Sequence, residues 1–204
     1  MGLLGGSFNP AHEAHLMISR EALRRLRLDG VWWLVSPQNP LKGRAETAPL
    51  AERLRAAQAF VGTEPRIRAC ALESVLGTVY TAETLDRLAA LFPQVRFVWL
   101  MGADNLVQVS SWKDWARIFH RAPVAVFDRP SYSQKALSSV AARRFARHRL
   151  PERRAGALAT EDPPAWVFLH CRRSARSSTE LRRARERAAS RRGGGAEDAK
   201  IAKE

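Results

Sequence analysis

Short apolar runs alternate with stretches of helical periodicity along most of the chain. Continuous apolar runs are typical of strands buried on both faces, and they occupy residues 2–5, 31–36, 66–72, 95–102, 123–129 and 166–170. Apolar residues that recur every three or four positions predict helices over residues 11–27, 50–61, 81–92, 115–120 and 134–149. Thr81 is a favourable residue to cap the third of these helices. Residues 37–49 are rich in proline, glycine and polar side chains, which predicts a loop.

Strands that alternate with helices predict an α/β protein, with a doubly wound, mostly parallel sheet and helices on both faces. Ligands of such sheets bind beyond the carboxyl ends of the strands, so the loops after residues 5, 36, 101, 128 and 170 are the expected site. We expect a single domain over residues 1–190. Residues 191–204 are basic and glycine-rich without an apolar period, and we expect this tail to be disordered.

The composition excludes several classes of protein. With 204 residues, 46% hydrophobic and 26% charged, the chain has the balance of a soluble globular protein with one core. Its apolar runs are all far shorter than the roughly 18 residues that a membrane helix needs. Two cysteines, Cys70 and Cys171, exclude a disulfide-dense scaffold and suit a reducing compartment. The first residues lack the features of a secretory signal, so we expect a cytoplasmic protein.

The charge of the chain is strongly positive. The formal net charge is +14, and 17 of the 34 basic residues lie between residues 143 and 204. A basic excess is compatible with a nucleic acid, an anionic membrane or a phosphorylated substrate as partner. A nucleic-acid-binding protein that uses residues 143–192 as its contact surface is therefore an alternative. Because that alternative leaves the glycine–histidine segment at residues 5–16 and the serine-rich segment at residues 177–182 unexplained, a nucleic acid is not the expected partner. No membrane partner is expected either.

The strongest chemical signal lies where the first strand turns into the first helix. Gly5 and Gly6 allow backbone amides to approach an anion, and the following helix offers free N–H groups and the positive end of its dipole. His12 and His15 are three residues apart and therefore share one side of the first helical turn. The combination predicts a phosphate site with two imidazoles; a metal-binding pair and two surface histidines are the alternatives. The sequence has no P-loop, and no G-x-G-x-x-G pattern follows the first strand.

A second anion-binding pattern lies near the end of the chain. Ser177, Ser178 and Thr179 precede a charged helical stretch over residues 180–190. Serine and threonine are natural N-caps, and the start of this helix again offers amides to an anion. Arg182, near the first turn, can reach the same anion with its planar guanidinium group. An ordinary capped surface helix is the alternative.

These segments, in this order, resemble the nicotinate-nucleotide adenylyltransferase family of the H-x-G-H nucleotidyltransferase superfamily. The first superfamily motif is similar to GGSFNPAHEAHL at residues 5–16, and the second to SSTELR at residues 177–182. Between them, YTAETL at residues 80–85 and MGADN at residues 101–105, with Trp112 beyond, are similar to family segments. The resemblance spans residues 2–187 and implies a Rossmann-like nucleotidyltransferase fold.

The resemblance also implies an activity. A member of this family transfers AMP from ATP to nicotinate mononucleotide, giving deamido-NAD and pyrophosphate in NAD biosynthesis. The implied attack is direct, without a covalent intermediate, and Mg²⁺ arrives with ATP rather than on protein ligands. ATP and nicotinate mononucleotide are the implied partners. Sister enzymes that use the amide mononucleotide or phosphopantetheine stay open, and both a monomer and a homodimer are compatible with the sequence.

Individual residues acquire implied roles from the same resemblance. The implied catalytic residues are His12, His15 and Arg182. The implied ATP-binding residues are Gly5, Gly6, Ser7, Phe8, His15, Gly102, Asp104, Ser177, Ser178 and Arg182. The implied residues for nicotinate mononucleotide are Asn9, Lys42, Tyr80, Thr81, Trp112 and Arg129.

Four of the implied ligand-binding residues have a structural alternative. Trp112 follows polar serines and can stack on a nicotinate ring, or it can cover the edge of the core or a subunit contact. Asp104 can accept a ribose hydroxyl or act as an ordinary helix N-cap. Lys42 is either a contact to substrate phosphate or a solvated loop cation. Arg129, just past a strand, has the same two interpretations.

Overall fold

A single parallel sheet organises the chain. The computed structural model describes residues 1–37, 47–129 and 131–171. Within these ranges the strands are β1 (Gly2–Gly6), β2 (Val31–Val35), β3 (Ile67–Cys70), β4 (Val98–Gly102), β5 (Val124–Phe127), β6 (Arg149–Leu150) and β7 (Trp166–Leu169). Their order in the sheet is β3-β2-β1-β4-β5-β7-β6, and every adjacent pair is parallel. The predicted doubly wound parallel sheet is confirmed.

Helices connect the strands. Over the described ranges they are α1 (Glu13–Arg25), α2 (Leu50–Val61), α3 (Leu72–Leu76), α4 (Thr81–Leu91), α5 (Ala103–Gln108), α6 (Trp115–Arg121), α7 (Ser133–Leu137) and α8 (Val140–Arg144). Short 3₁₀ segments lie at Val109–Ser111, Ala146–His148 and Glu152–Thr160. Of these described helices, none has the length and apolarity needed to cross a bilayer.

The central strands of the sheet are buried on both faces, as their apolar sequences predict, whereas the edge strands β3 and β6 each expose an arginine. Successive strand residues point to opposite faces. Leu4 and Leu100 therefore belong to the core that the sheet forms with α1 and α2. Leu3 and Trp99 belong to a second core, formed with helices that include α4, α6 and α8. Helices thus cover both faces of the sheet, as expected from the alternation of elements.

The order of the strands reverses beside β1. From β1 the chain builds outward through β2 and β3, and then crosses to β4 on the other side of β1. In open α/β sheets the crevice at such a reversal, beyond the carboxyl ends of the strands, is where ligands bind. The turns that follow β1 and β4 border this crevice, and they contain the glycine–histidine segment and Asp104.

Two predicted features of the helices are wrong. Residues 134–149 do not form one helix, because the hydroxyl groups of Ser138 and Ser139 bond to local backbone. Ser138 Oγ donates to the carbonyl of Gln134 at 2.9 Å where α7 ends, and Ser139 Oγ accepts from the amide of Ala142 at 3.2 Å where α8 begins. Thr81 is not the cap of α4, since the preceding residue holds the extended cap position.

Candidate active site

The turn from β1 into α1 is tightly packed. A side chain at Gly5 is excluded because its Cβ would lie 2.5 Å from Cη2 of Trp99. Phe8 has a φ of 46°, a left-handed conformation that non-glycine residues rarely adopt. Its ring is 2% exposed, stacks on Trp33 at a centroid separation of 5.0 Å and lies 4.7 Å from the ring of His15. The core therefore holds this turn in one conformation.

The structure brings the two predicted imidazoles together at the start of α1. His12 is the N-cap of the helix, in extended conformation, and its side chain is buried. The ring centroids of His12 and His15 are 3.8 Å apart. The backbone amide of His12 donates to Nδ1 of His15 at 3.1 Å. Because Nδ1 is the acceptor, the neutral ring of His15 carries its proton on Nε2.

Both imidazoles are neutral in the free protein at pH 7. Burial lowers the pKa of His12 to about 4, and the charge of Arg129 acts in the same direction. Burial also lowers the pKa of His15 well below its ordinary value, with further lowering from His12 and Arg129. The guanidinium of Arg129 thus acts on both rings, although it comes from the exit of β5. Two imidazoles and one guanidinium converge at the N-terminus of α1.

Asp104 lies in the same region, on the first turn of α5. Gly102 is the N-cap of α5, so the interpretation of Asp104 as that cap is wrong. Oδ2 of Asp104 pairs with Nη1 of Arg129 at 3.2 Å. Oδ1 is buried and has no hydrogen-bond partner within the described residues. A Cβ at Gly102 would lie 2.4 Å from this Oδ1 atom, so glycine allows the carboxylate to approach the end of β4.

The segments that contain Tyr80 and Trp112 are also adjacent. Nζ of Lys113 lies 4.3 Å from the centre of the Tyr80 ring and 3.4 Å from a carboxylate oxygen of Glu83. Trp112 is partly buried and packs against the core that contains Trp99. Its structural alternative, a cover over the edge of the core, is thus part of the observed packing.

Several predicted site residues lie outside the described ranges. Lys42, Ser177, Ser178 and Arg182 belong to this group, as does the tail over residues 191–204. Asn9 and Ser7 lie in the described turn between β1 and α1, and Gly6, the last residue of β1, is paired with Val35 of β2.

Two buried charged residues were missed by the sequence analysis. Arg53 of α2 is 3% exposed, and it donates to the carbonyl of Ser7 at 2.7 Å. The sequence contains one indication of this burial, because Arg53 shares a helical face with the apolar residues Ala57 and Val61. Glu73 of α3 is 4% exposed, and burial raises its pKa to about 7. Because α3 is only five residues long, it shows no helical periodicity from which the burial of Glu73 could be predicted.

The donor set of this edge suits anions better than a metal ion. In residues 1–37, 47–129 and 131–171 the structure contains no group of three or more His, Cys, Asp or Glu side chains that could hold a metal. The converging groups are neutral imidazoles, a guanidinium, helix-terminal amides and one carboxylate. All but the carboxylate can donate hydrogen bonds to phosphate oxygens.

Comparison with known proteins places the chain in a family. Residues 3–184 match the family model described as cytidylyltransferase-like. A probable nicotinate-nucleotide adenylyltransferase of a Bradyrhizobium species is 54% identical over 182 residues, which cover 89% of this chain and 94% of that protein. A protein of the same name from Methylorubrum extorquens is 53% identical over 182 residues, covering 89% and 98%. The chain belongs to the nicotinate-nucleotide adenylyltransferase family.

Solved structures agree on the fold. A nicotinic acid mononucleotide adenylyltransferase of Plasmodium falciparum, complexed with NaAD, superposes with a TM-score of 0.67 at 16% identity and covers 89% of this chain and 82% of that chain. The same enzyme complexed with APC gives a TM-score of 0.65, also at 16% identity, over 89% and 81%. The membership predicted from the sequence is confirmed, and the chain is an enzyme of the nucleotidyltransferase class.

Proposed function

We propose that this nicotinate-nucleotide adenylyltransferase homologue transfers the adenylyl group of ATP to nicotinate mononucleotide, giving deamido-NAD and pyrophosphate in NAD biosynthesis. The observation that carries the proposal is the convergence of His12, His15 and Arg129 at the N-terminus of α1. These three side chains lie beyond the carboxyl end of β1, where the order of the strands reverses and a nucleotide is expected to bind. The names of the relatives and the NaAD complex of the Plasmodium enzyme support the same reaction.

ATP is proposed to bind along the turn from Gly5 to Phe8. The triphosphate faces the N-terminal amides of α1 and the positive charge of Arg129, since both favour an anion. Asp104, whose Oδ1 has no hydrogen-bond partner within the described residues, is proposed to accept a ribose hydroxyl. Ser177, Ser178 and Arg182, by their resemblance to the second superfamily motif, hold the β- and γ-phosphates.

The chemistry requires little from the protein beyond alignment and charge neutralisation. An oxygen of the 5′-phosphate of nicotinate mononucleotide forms a bond to the α-phosphorus of ATP, while the bond from that phosphorus to the α,β-bridging oxygen breaks. Pyrophosphate leaves with the electron pair of the broken bond. Because the attacking phosphate is already an anion, no general base is needed. Catalysis then comes from in-line positioning and from stabilisation of charge on the transferred group.

His15 is the proposed donor to the transferred phosphate. Its Nδ1 accepts from the backbone, so Nε2–H is left to donate to a phosphate oxygen. The free-enzyme pKa is lowered by burial and by neighbouring charge. A bound polyanion favours protonation of a nearby imidazole and so raises the pKa of His12 when ATP binds, whereas His15 donates through Nε2–H while its Nδ1 still accepts from the backbone. His12, whose ring centroid lies 3.8 Å from that of His15, is proposed to share this role.

The nicotinate end of the acceptor is proposed to lie between Tyr80, Thr81 and Trp112. Thr81 is the first residue of α4, whose free amides and dipole favour a carboxylate. The exposed part of the Trp112 indole stacks on the pyridine ring. Asn9 and Lys42, with Arg129, are proposed to contact the mononucleotide and its 5′-phosphate.

Magnesium is proposed to arrive with ATP. Of the described carboxylates that follow strands at this edge, Asp104 is already paired with Arg129, and Asp128 accepts from the hydroxyl group of Ser133. Mg²⁺ retains waters and binds phosphate oxygens readily, so the triphosphate is the main ligand. When bound, the ion neutralises negative charge on ATP.

Product analysis with stereochemistry tests the proposed reaction. The enzyme is incubated with nicotinate mononucleotide and ATP that carries a chiral phosphorothioate at the α-phosphorus. We expect deamido-NAD analogue and pyrophosphate in equal amounts, inversion of configuration at phosphorus, and no pyrophosphate when the acceptor is omitted. Retention of configuration would show a covalent intermediate and contradict direct attack.

A further inference from the structure

The side chain of Arg53 connects three turns at the carboxyl edge of the sheet. Nε donates to the carbonyl of Ala48 at 2.7 Å. Nη1 donates to the carbonyls of Ser7 and Ser36, at 2.7 and 2.8 Å, and Nη2 donates to that of Pro37 at 3.0 Å. All four acceptors belong to the main chain, so the guanidinium group recognises backbone positions rather than side chains.

The location of these carbonyls relates Arg53 to the phosphate-binding turn. Ser7 belongs to the turn between β1 and α1, which contains the imidazole pair a few residues later. Ser36 and Pro37 directly follow β2, the neighbour of β1, and Ala48 lies just before the start of α2. One rigid, planar group therefore holds the turn after β1 against the residues that follow β2, in addition to the ladder that pairs Gly6 with Val35. A flexible loop contact could not hold these segments together as closely.

The charge of Arg53 is buried as well as hydrogen-bonded. Within residues 1–37, 47–129 and 131–171, no carboxylate oxygen lies within 4 Å of its guanidinium nitrogens. Burial lowers the pKa of Arg53, yet arginine stays protonated in proteins. A positive charge within hydrogen-bond distance of Ser7 is placed where an anionic ligand would be attracted, because screening is weak in a buried environment.

We propose that Arg53 is a positioning residue of the phosphate site. Its guanidinium group fixes the turn after β1 against the turn after β2, and its buried charge strengthens the binding of the polyphosphate. The catalytic part of this inference rests on the proposed function. In-line attack is sensitive to displacements of about 1 Å, which can lower a rate about a hundredfold. A small movement of the Ser7 turn is therefore expected to affect turnover.

Two substitutions separate position from charge. Arg53→Lys keeps the charge and loses the planar fork, whereas Arg53→Gln loses both. Arg55→Gln is the matched control, because Arg55 lies on the same helix, is exposed and donates to the carbonyl of Ala51. For each protein kcat, KM for ATP, the dissociation constant of pyrophosphate and the melting temperature are measured, with all assays well below the lowest Tm.

We expect Arg53→Lys to lose about 10- to 100-fold in kcat while its pyrophosphate affinity stays within about threefold of the wild type. Arg53→Gln should show the same loss in kcat and bind pyrophosphate at least about fivefold more weakly, and Arg55→Gln should match the wild type. A merely structural Arg53 would lower Tm and leave kcat and KM within about twofold, which would overturn the inference. If Arg53→Gln does not fold, the kcat of Arg53→Lys decides alone.

The outcome is distinguishable from failure of the proposed function. If the wild-type enzyme did not use nicotinate mononucleotide, the proposed function would fail. The dissociation constants of pyrophosphate would still show whether the Arg53 variants bind the anion more weakly than the control. If the wild type were active and Arg53→Lys turned over at the same rate, the proposed function would stand and the role of Arg53 would be wrong.

Discussion

The buried carboxyl group of Glu73 gives a pH-dependent contribution to stability that can be measured. Glu73 is 4% exposed on α3. Burial raises its pKa to about 7, while hydrogen bonding by the hydroxyl groups of Ser36 and Thr84 acts in the opposite direction. Glu73→Gln keeps the size and most of the hydrogen-bonding capacity of the protonated side chain and removes the titration. The amide variant therefore isolates the contribution of the charge.

The sign and size of the effect follow from the two pKa values. In the unfolded chain the carboxyl group has its ordinary value of 4.5. Between pH 4.5 and 7 the folded protein thus binds more protons than the unfolded chain, and the free energy of unfolding falls as pH rises. The whole difference corresponds to about 3 kcal/mol, at about 1.36 kcal/mol per pKa unit. About 2–3 kcal/mol of it is lost between pH 5 and pH 8.

Urea unfolding of both proteins at pH 5, 6, 7 and 8 measures this quantity. The stability of the wild type relative to Glu73→Gln should fall by about 2–3 kcal/mol across the range, with equal m-values. His12, whose pKa is lowered to about 4, contributes in the opposite direction but is present in both proteins and cancels. Glu52→Gln, at an exposed position of α2, is the control. A Glu73→Gln difference that stays constant within about 0.5 kcal/mol would refute the reasoning.

Two further predictions concern the site itself. His15→Ala should fold with an unchanged circular dichroism spectrum and lose about 10²–10³ in kcat, since it removes the Nε2–H donor; near-normal kcat in the folded variant would exclude His15 from the mechanism. Trp112→Ala should raise KM for nicotinate mononucleotide and for the amide mononucleotide by a similar factor, up to about tenfold, because stacking does not distinguish the ring substituents. An unchanged KM for both acceptors would leave Trp112 as a cover over the core.

Of the described strands, all but β6 were predicted, most of them because they are buried on both faces. β6 is only two residues long and begins with the exposed Arg149, which was assigned to the predicted helix over residues 134–149. Burial of both faces requires continuous apolar runs, and these stand out in a sequence even when only four or five residues long. Helix boundaries depended on local polar groups that the periodicity does not show. Ser138 and Ser139 divide the predicted helix over residues 134–149 by bonding to the backbone. The short helices α3 and α5 span less than two turns and were not predicted.

The site was predictable where its residues are close in sequence. Gly5, His12 and His15 belong to one segment, so their spacing alone indicated a shared anion site. The pairing of Asp104 with Arg129 was not foreseen, because the two residues follow different strands and meet only through the parallel sheet. Arg53 reaches carbonyls up to 46 residues away, and no local pattern encodes such contacts.

The choice of acceptor tests the proposed function most directly. Pyrophosphate release from ATP is measured with nicotinate mononucleotide, nicotinamide mononucleotide and phosphopantetheine, each over a range of concentrations. Backbone N–H groups near Thr81 and Trp112 would donate to the carboxylate of nicotinate mononucleotide. With nicotinamide mononucleotide, the same donors would face the N–H₂ group, and leaving buried donors without an acceptor is costly. We predict that kcat/KM for nicotinate mononucleotide exceeds that for the amide form at least about a hundredfold, with no release for phosphopantetheine. Comparable values for the two mononucleotides, or a preference for phosphopantetheine, would contradict the account.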